Sequence, residues 1–348
     1  MTPDAVAAAL VAGETPDLPD MIGYWRETDA GARPKIETVA VLAALSASPP
    51  QAARIEAFVR HARASQPPIR LNGAARAVNI VGAGGGLSTF NISTTACFVA
   101  AAAGAQVLKS GSPAYSGKVG ASDILLALGL GRATTPEALE AMLDETGIAF
   151  APPSGYAAIC KRLALAALPL PFKMIGRFVN GLGPLICPYA VDCSVVGASD
   201  RAVFDMLRHV AERTDQRMML VHAKCGVDEL IASERNVIGW TGLREVRVLD
   251  GLSCGYDVAD ISMLAGGDLD HNLAMLQAVL RGTAPVPALQ TVALNAGAVL
   301  HVAGLAQSIP AGASRAMTAI LSGAALDKLH QAQAFAARMR RVALEAVR

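Results

Sequence analysis

Apolar residues recur at helical spacing through the first 65 residues of the chain and then give way to short continuous runs. The helical patterns cover Ala5–Val11, Pro19–Thr28 with Met21, Ile22 and Trp25, Ile36–Ala47 and Ala52–Ala64, punctuated by Pro and Gly. Residues 66–77, QPPIRLNGAARA, read as a linker. Beyond it the pattern predicts strands at Val78–Val81, Ala105–Leu108, Ile148–Phe150, Cys193–Val196, Arg217–Val221 and Val246–Val248. Helices are expected between them, near Thr94–Ala103, Ser122–Leu128, Pro136–Glu145, Arg201–Arg213 and Asp270–Arg281. Strands separated by helices need crossover connections, so the fold class is α/β with a mainly parallel sheet. From Pro287 to Ala346 the pattern is almost wholly helical. Its longest apolar run, Ala288–Ala306, is broken by Asn295 and His301, which favours a buried helix over a membrane span.

Composition narrows the function classes. The 348 residues are 53% hydrophobic and 17% charged, the make-up of a well-folded chain. A formal net charge of +1 gives no basic stripe for nucleic acid, so function is expected in a local site. The six cysteines (Cys97, Cys160, Cys187, Cys193, Cys225, Cys254) form no CxxC pair and no His-linked metal spacing. They read as reduced structural thiols in a cytoplasmic protein. The first twenty residues lack the basic start of a signal peptide.

Candidate chemistry concentrates in residues 78–123. A small apolar strand opens into Gly82-Ala83-Gly84-Gly85-Gly86, where missing side chains let a ligand approach the backbone. Thr89 and Asn91-Ile92-Ser93-Thr94 follow where a helix should start, and free N–H groups there can grip an anion. A second loop begins at Lys109 and adds Ser110, Ser112, Ser116 and Lys118. Two such loops suit a ligand with several phosphates.

These segments resemble the anthranilate phosphoribosyltransferase family. Its GTGGD loop corresponds to Gly82–Gly86, its NxST motif to Asn91–Thr94, and its KHGNR loop to Lys109-Ser110-Gly111-Ser112-Pro113, running on to Ser116-Gly117 and Asp123. Asn180-Gly181-Leu182-Gly183-Pro184-Leu185 is similar to FNxLGPL, Val221-His222 with Gly226-Val227-Asp228-Glu229-Leu230 to VHGxGLDEL, and Gly266-Gly267-Asp268 with Asn272 and Val279–Gly282 to GGD…N…VLxG. Leu294-Asn295-Ala296 and Val302-Ala303-Gly304 complete the order, over about residues 75–335. The resemblance implies a small N-terminal α-helical domain (1–70, joined by part of 170–195) on a large α/β domain (75–345) with a mainly parallel central sheet, the class IV phosphoribosyltransferase or nucleoside phosphorylase-like architecture. It also implies a homodimer, Mg²⁺, and transfer of 5-phosphoribosyl from phosphoribosyl pyrophosphate to an aromatic amine.

The donor would be held by Gly82, Gly84, Gly85, Thr89, Asn91, Ile92, Ser93, Thr94, Lys109, Gly111, Ser112, Ser116 and Gly117. Lys109 and Ser93 would stabilise the transition state, and Ser93, Asp228 and Glu229 would ligate the metal. Read without the motif around it, the Asp228-Glu229 pair also fits a solvated helix start. His222, His271 and His301 read as hydrogen-bonded structural histidines rather than bases.

Departures fall on the acceptor side. Gly86 stands where the family has Asp, Ser110, Ser112 and Pro113 replace His, Asn and Arg, and Ala151-Pro152-Pro153-Ser154-Gly155 lacks the His of APxxH. The family's carboxylate-gripping Arg falls on Gly176, with Lys173 and Arg177 nearby. An Arg–carboxylate fork is directional, so its loss predicts an acceptor other than, or in addition to, anthranilate. Ser110, Ser112, Lys173 and Arg177 are the acceptor candidates. A nucleoside-phosphorylase-like enzyme and a catalytically inactive binding protein are the alternatives. No membrane partner is expected.

Overall fold

The computed structural model describes residues 1–72, 76–111, 119–131, 135–170, 178, 181–256 and 259–345. Four helices come first: α1 (Pro3–Val11), α2 (Leu18–Ala30), α3 (Lys35–Ala47) and α4 (Ala52–Ser65). Their apolar stripes meet around Tyr24, Trp25 and Phe58, all essentially inaccessible to solvent. Trp25 stacks on Phe178 at 5.9 Å and meets the edge of Phe58 at 5.1 Å, so residue 178 is tied into the helical layer.

The α/β portion then runs β1 (Val78–Gly82), α5 (Ile92–Ala102), β2 (Val107–Lys109), α6 (Ala121–Ala127), α7 (Pro136–Thr146), β3 (Ile148–Phe150) and α8 (Ala158–Ala167). It continues with β4 (Cys193–Gly197), α9 (Arg201–Arg213), β5 (Met218–Ala223), β6 (Arg235–Trp240), β7 (Val246–Asp250), α10 (Leu269–Leu280), α11 (Val286–Val302), α12 (Ile309–Leu321) and α13 (Ala324–Glu345). The strands form one sheet in the order β3-β2-β1-β4-β5-β6-β7. The first five are parallel, and β6 runs antiparallel to both β5 and β7.

Six strands lie where the sequence pattern puts them. The seventh, β6, and helix α8 are additions to that pattern. In β6 the sequence RNVIGW interrupts its apolar residues with Asn and Gly, so it lacks a clean period of two. The fold supplies what the pattern lacks: Asn236 is fully buried and bonds through Nδ2 to the carbonyls of Ile231 and Glu234, both at 2.9 Å.

The sheet has two faces and a buried cluster on each. Val78, Ile80, Val107 and Val195 pack under α5, α10 and α11. Val196, Ala198, Met218 and Leu220 pack with the N-terminal helices, α8 and α9. The alternation of side chains along each strand creates this division. The long apolar stretch at 286–302 is the buried helix α11, nearly every residue of which is inaccessible. It crosses α12 at Gly297 and Gly312, and a Cβ on Gly297 would run into the Ala313 backbone. Among the described residues no helix is long and apolar enough to cross a membrane, and the six cysteines are free thiols.

Candidate active site

Three elements deliver the site to the carboxyl ends of the parallel strands, where ligands of open α/β sheets bind. β1 ends at Gly82 and the chain turns through Gly84 (φ 72°) and Gly85 (φ 86°), conformations that a side chain would strain. Gly86 lies against the carbonyl of Gly226, and a Cβ there would run into it. This contact gives a steric reason why the loop carries Gly at that position. A Cβ on Gly82 would likewise run into the Asp228 carboxylate, and one on Gly197 into the Asp228 carbonyl. The carboxylate segment therefore lies directly across the strand ends.

Helix α5 starts at Asn91, whose backbone is left-handed (φ 66°, ψ 47°). Asn tolerates this conformation better than most residues, and its surroundings hold it there. Asn272 Nδ2 donates to Asn91 Oδ1 at 2.9 Å, and Asn91 Nδ2 donates to the Val119 carbonyl at 3.3 Å. Asn272 Oδ1 in turn accepts from Gly267 N at 2.8 Å, which explains the motif that links this glycine pair to Asn272. The Asn91 side chain makes no capping bond to α5; Thr94 N and Thr95 N donate to the Asn91 carbonyl at 3.0 and 3.1 Å.

The polar side chains converge. Lys109, 3% exposed at the end of β2, donates from Nζ to the Ile80 carbonyl at 2.9 Å and to Ser93 Oγ at 3.3 Å. Glu229 Oε1 accepts from Ser93 N at 3.3 Å, and Glu229 Oε2 accepts from Thr89 Oγ1 at 2.9 Å. Asp228 Oδ2 accepts from Gly84 N at 2.8 Å. Ser199 Oγ braces the loop by donating to the Gly84 carbonyl at 3.1 Å. Beside Ser93, Thr94 Oγ1 is buried with no hydrogen-bond partner among the described residues.

Burial pushes the Asp228 carboxyl above its ordinary range, against the pull of the Gly84 N–H, its own N–H and Lys109. Burial pushes Glu229 up to about 8, the neighbouring Asp228 charge adds to this, and Thr89, Ser93 and Lys109 oppose it. Two shielded carboxyls side by side are costly without a cation.

Among the described residues no three His, Cys, Asp or Glu side chains gather to hold a metal by themselves. Mg²⁺ characteristically binds through one or two carboxylates, keeping waters and substrate phosphates as its other ligands. The Asp228–Glu229 pair beside the Ser93 hydroxyl fits that role.

The structure thus brings together Gly82, Gly84, Gly85, Thr89, Asn91, Ser93, Thr94, Lys109, Asp228 and Glu229. Ile92 is fully buried in the core and contributes backbone position. Gly111 follows β2, and a Cβ there would sit 3.0 Å from Ala121. Ser112, Ser116, Gly117, Lys118, Lys173 and Arg177 lie outside the described residues. Ser110 has the opposite aspect from Lys109. It is fully buried, its N–H donates to Asn79 Oδ1 at 2.9 Å, and its Oγ accepts from Asn79 Nδ2 at 2.8 Å. Asn79 and Ser199 were not legible as partners, because each lies far along the chain from the residue it meets. His222 lies on β5 with Nδ1 3.0 Å from the Ala198 carbonyl, and His301 Nδ1 lies 3.1 Å from the Ala306 carbonyl, both structural positions.

This fold and this site define a glycosyltransferase: residues 74–326 match the model of the glycosyl transferase family, a/b domain. The chain is 37% identical over 257 residues to the anthranilate phosphoribosyltransferase of Desulfatibacillum aliphaticivorans, covering 72% of this chain and 75% of that protein. It is 33% identical over 336 residues to that of Dechloromonas aromatica (strain RCB), covering 95% and 97%. Among solved structures it is similar to anthranilate phosphoribosyltransferase from Thermus thermophilus, with TM-score 0.83, 29% identity and coverage of 95% and 99%. The Saccharomyces cerevisiae enzyme in complex with phosphoribosyl pyrophosphate and Mg shares the fold, with TM-score 0.79, 18% identity and coverage of 97% and 98%. The chain belongs to the anthranilate phosphoribosyltransferase family. It is a phosphoribosyltransferase, a glycosyltransferase of the pentosyl-transferring class.

Proposed function

We propose that the protein transfers 5-phosphoribosyl from phosphoribosyl pyrophosphate to an aromatic acid or amine other than, or in addition to, anthranilate, releasing pyrophosphate. In this reaction a bond forms between the acceptor atom and ribose C1, the C1–oxygen bond to pyrophosphate breaks, and the electron pair leaves with pyrophosphate. The Gly82–Gly86 turn and the Ser93 and Thr94 hydroxyls would receive the phosphates. Lys109 meets the negative charge that grows on the leaving group. Asp228 and Glu229 would hold Mg²⁺, which supplies further positive charge to the pyrophosphate when bound. Charge development on the leaving group and the sugar asks for fixed donors and leaves little for a general base, consistent with the structural positions of His222 and His301.

The observation that carries the acceptor reading is Ser110. It stands where the family has His, and its hydroxyl is taken up by Asn79 on β1 rather than offered toward Lys109. Gly176 at the position of the carboxylate-gripping Arg supports the same reading. The test is an acceptor screen with phosphoribosyl pyrophosphate and Mg²⁺, detecting phosphoribosyl adducts by mass. Anthranilate is expected to turn over poorly against at least one other aromatic acceptor. Conversion of anthranilate at ordinary family rates, with no better acceptor, would overturn the reading.

The division into a helical domain (1–70) and an α/β domain (75–345), a cytoplasmic location and a homodimer belong to the same proposal. Light scattering on the eluting protein tests the last, a monomeric mass counting against it.

A further inference from the structure

Both carboxylates of the site bond to groups that a phosphate would otherwise use. Asp228 Oδ2 takes the Gly84 N–H at 2.8 Å, inside the glycine turn. Glu229 takes the Ser93 N–H through Oε1 at 3.3 Å and the Thr89 hydroxyl through Oε2 at 2.9 Å. Each of these donors carries a single hydrogen and serves one strong acceptor at a time. A phosphate oxygen and a carboxylate oxygen therefore compete for the same three donors.

Other N–H groups of the turn serve its shape. Ala83 N donates to the Gly197 carbonyl at 2.9 Å and Leu87 N to the Gly226 carbonyl at 3.4 Å. The Gly84 N–H differs from these in going to an acidic side chain. The carboxylates, in turn, are free to leave. Neither forms a salt bridge among the described residues, and the Lys109 ammonium donates to Ile80 and Ser93 instead. Both residues lie between β5 and β6, outside helix and strand. The backbone beside them is anchored, with Leu230 N donating to Asn295 Oδ1 at 3.1 Å and Asn295 Nδ2 to the Leu230 carbonyl at 2.7 Å. A change of rotamer thus releases the three donors without moving the chain.

We propose that Asp228 and Glu229 form an internal anion that closes the cradle of the metal-free protein. They occupy the Gly84, Ser93 and Thr89 donors and surrender them when their oxygens turn to Mg²⁺. This rests on the reading of the site as a cradle for pyrophosphate. Its consequence is order: polyphosphate without a divalent cation meets donors already taken. Metal and pyrophosphate then favour each other's binding reciprocally.

The test is calorimetric titration of the full-length protein with inorganic pyrophosphate, first in buffer stripped of divalent cations and then with Mg²⁺. Glu229→Ala frees two donors, so its metal-free affinity should exceed that of the unmodified protein at least about tenfold. The gain should persist in about 0.5 M KCl, where repulsion through space is screened. If Glu229→Ala does not fold, Glu229→Asp keeps the charge on a side chain one methylene shorter. Its withdrawal from Ser93 N should still raise metal-free affinity at least about fivefold. Equal or weaker metal-free binding in the folded variant, or a gain that vanishes in salt, would overturn the proposal and leave the pair as metal ligands only. Absence of binding to the unmodified protein even with Mg²⁺ would overturn the cradle reading and the proposal with it, whereas a missing gain alone leaves that reading standing.

Discussion

Lys109 illustrates how single residues set the chemistry. This nearly inaccessible ammonium donates, among the described residues, to a carbonyl and a hydroxyl, and its charge also acts on the Asp228 and Glu229 carboxyls, so it sits where a negative ligand would meet it. Lys109→Ala should therefore lower kcat/KM about 10²- to 10³-fold, the scale of removing one charge-stabilising donor, as read by pyrophosphate release. Asp228 and Glu229 make the complementary case. Asp228→Asn with Glu229→Gln should raise the Mg²⁺ concentration for half-maximal activity by at least about tenfold while leaving the circular dichroism spectrum intact. Activity at unchanged Mg²⁺ would put the metal elsewhere. The single change Glu229→Gln should raise the Tm of the metal-free protein at neutral pH, because it removes the cost of burying a carboxyl, to which the neighbouring Asp228 charge adds.

At the scale of elements, close backbone approach does the positioning. β1 and β4 end in glycines because the Asp228 segment crosses them with no room for a Cβ. Gly82→Ala should push the Asp228 carboxylate aside and weaken phosphoribosyl pyrophosphate binding at least about tenfold by calorimetry, with a smaller effect on Tm. The α11–α12 crossing is the structural counterpart. Gly297→Ala forces the helices apart in a fully buried interface and should cost about 1–3 kcal/mol, visible as a lowered Tm in the absence of any ligand. Asn91 shows an element start held from outside: its left-handed backbone depends on Asn272, 181 residues along the chain.

For the whole molecule, the connection between the N-terminal helices and the α/β layers includes a buried carboxylate. Glu56 on α4, its side chain 3% exposed, accepts from Arg60 Nε at 2.7 Å and from Arg213 Nε on α9. Burial pushes this carboxyl up, but the bonds from Arg213 and Arg60 outweigh it and hold it below the ordinary carboxylate range. A carboxyl depressed in the folded state stabilises it above the unfolded value and loses that contribution as pH falls through the folded one. Glu56→Gln should therefore cost about 2 kcal/mol at neutral pH, less than a fully buried pair because both arginines are partly exposed. The difference in Tm from the unmodified protein should close as pH drops below the carboxylate range.

The order of elements was written in the chain itself. Hydrophobic period and the placement of Pro and Gly located the four N-terminal helices and six of the seven strands, because burial of a single face imposes that period directly. The glycine turn, the start of α5 and Lys109 were legible for a similar reason, since phosphate binding through backbone N–H groups requires those residue types close together in sequence. Strand β6 was not, because Asn236 is satisfied only by carbonyls that the folded chain brings to it. The pairing of Asp228 with Gly84 and of Glu229 with Thr89 spans 144 and 140 residues, and the withdrawal of Ser110 toward Asn79 depends on which face of the sheet it meets. Sequence determined which groups the protein carries and in what order. Tertiary structure alone decided which of them meet, because a hydrogen bond depends on distance and direction in space, and neither is fixed by separation along the chain.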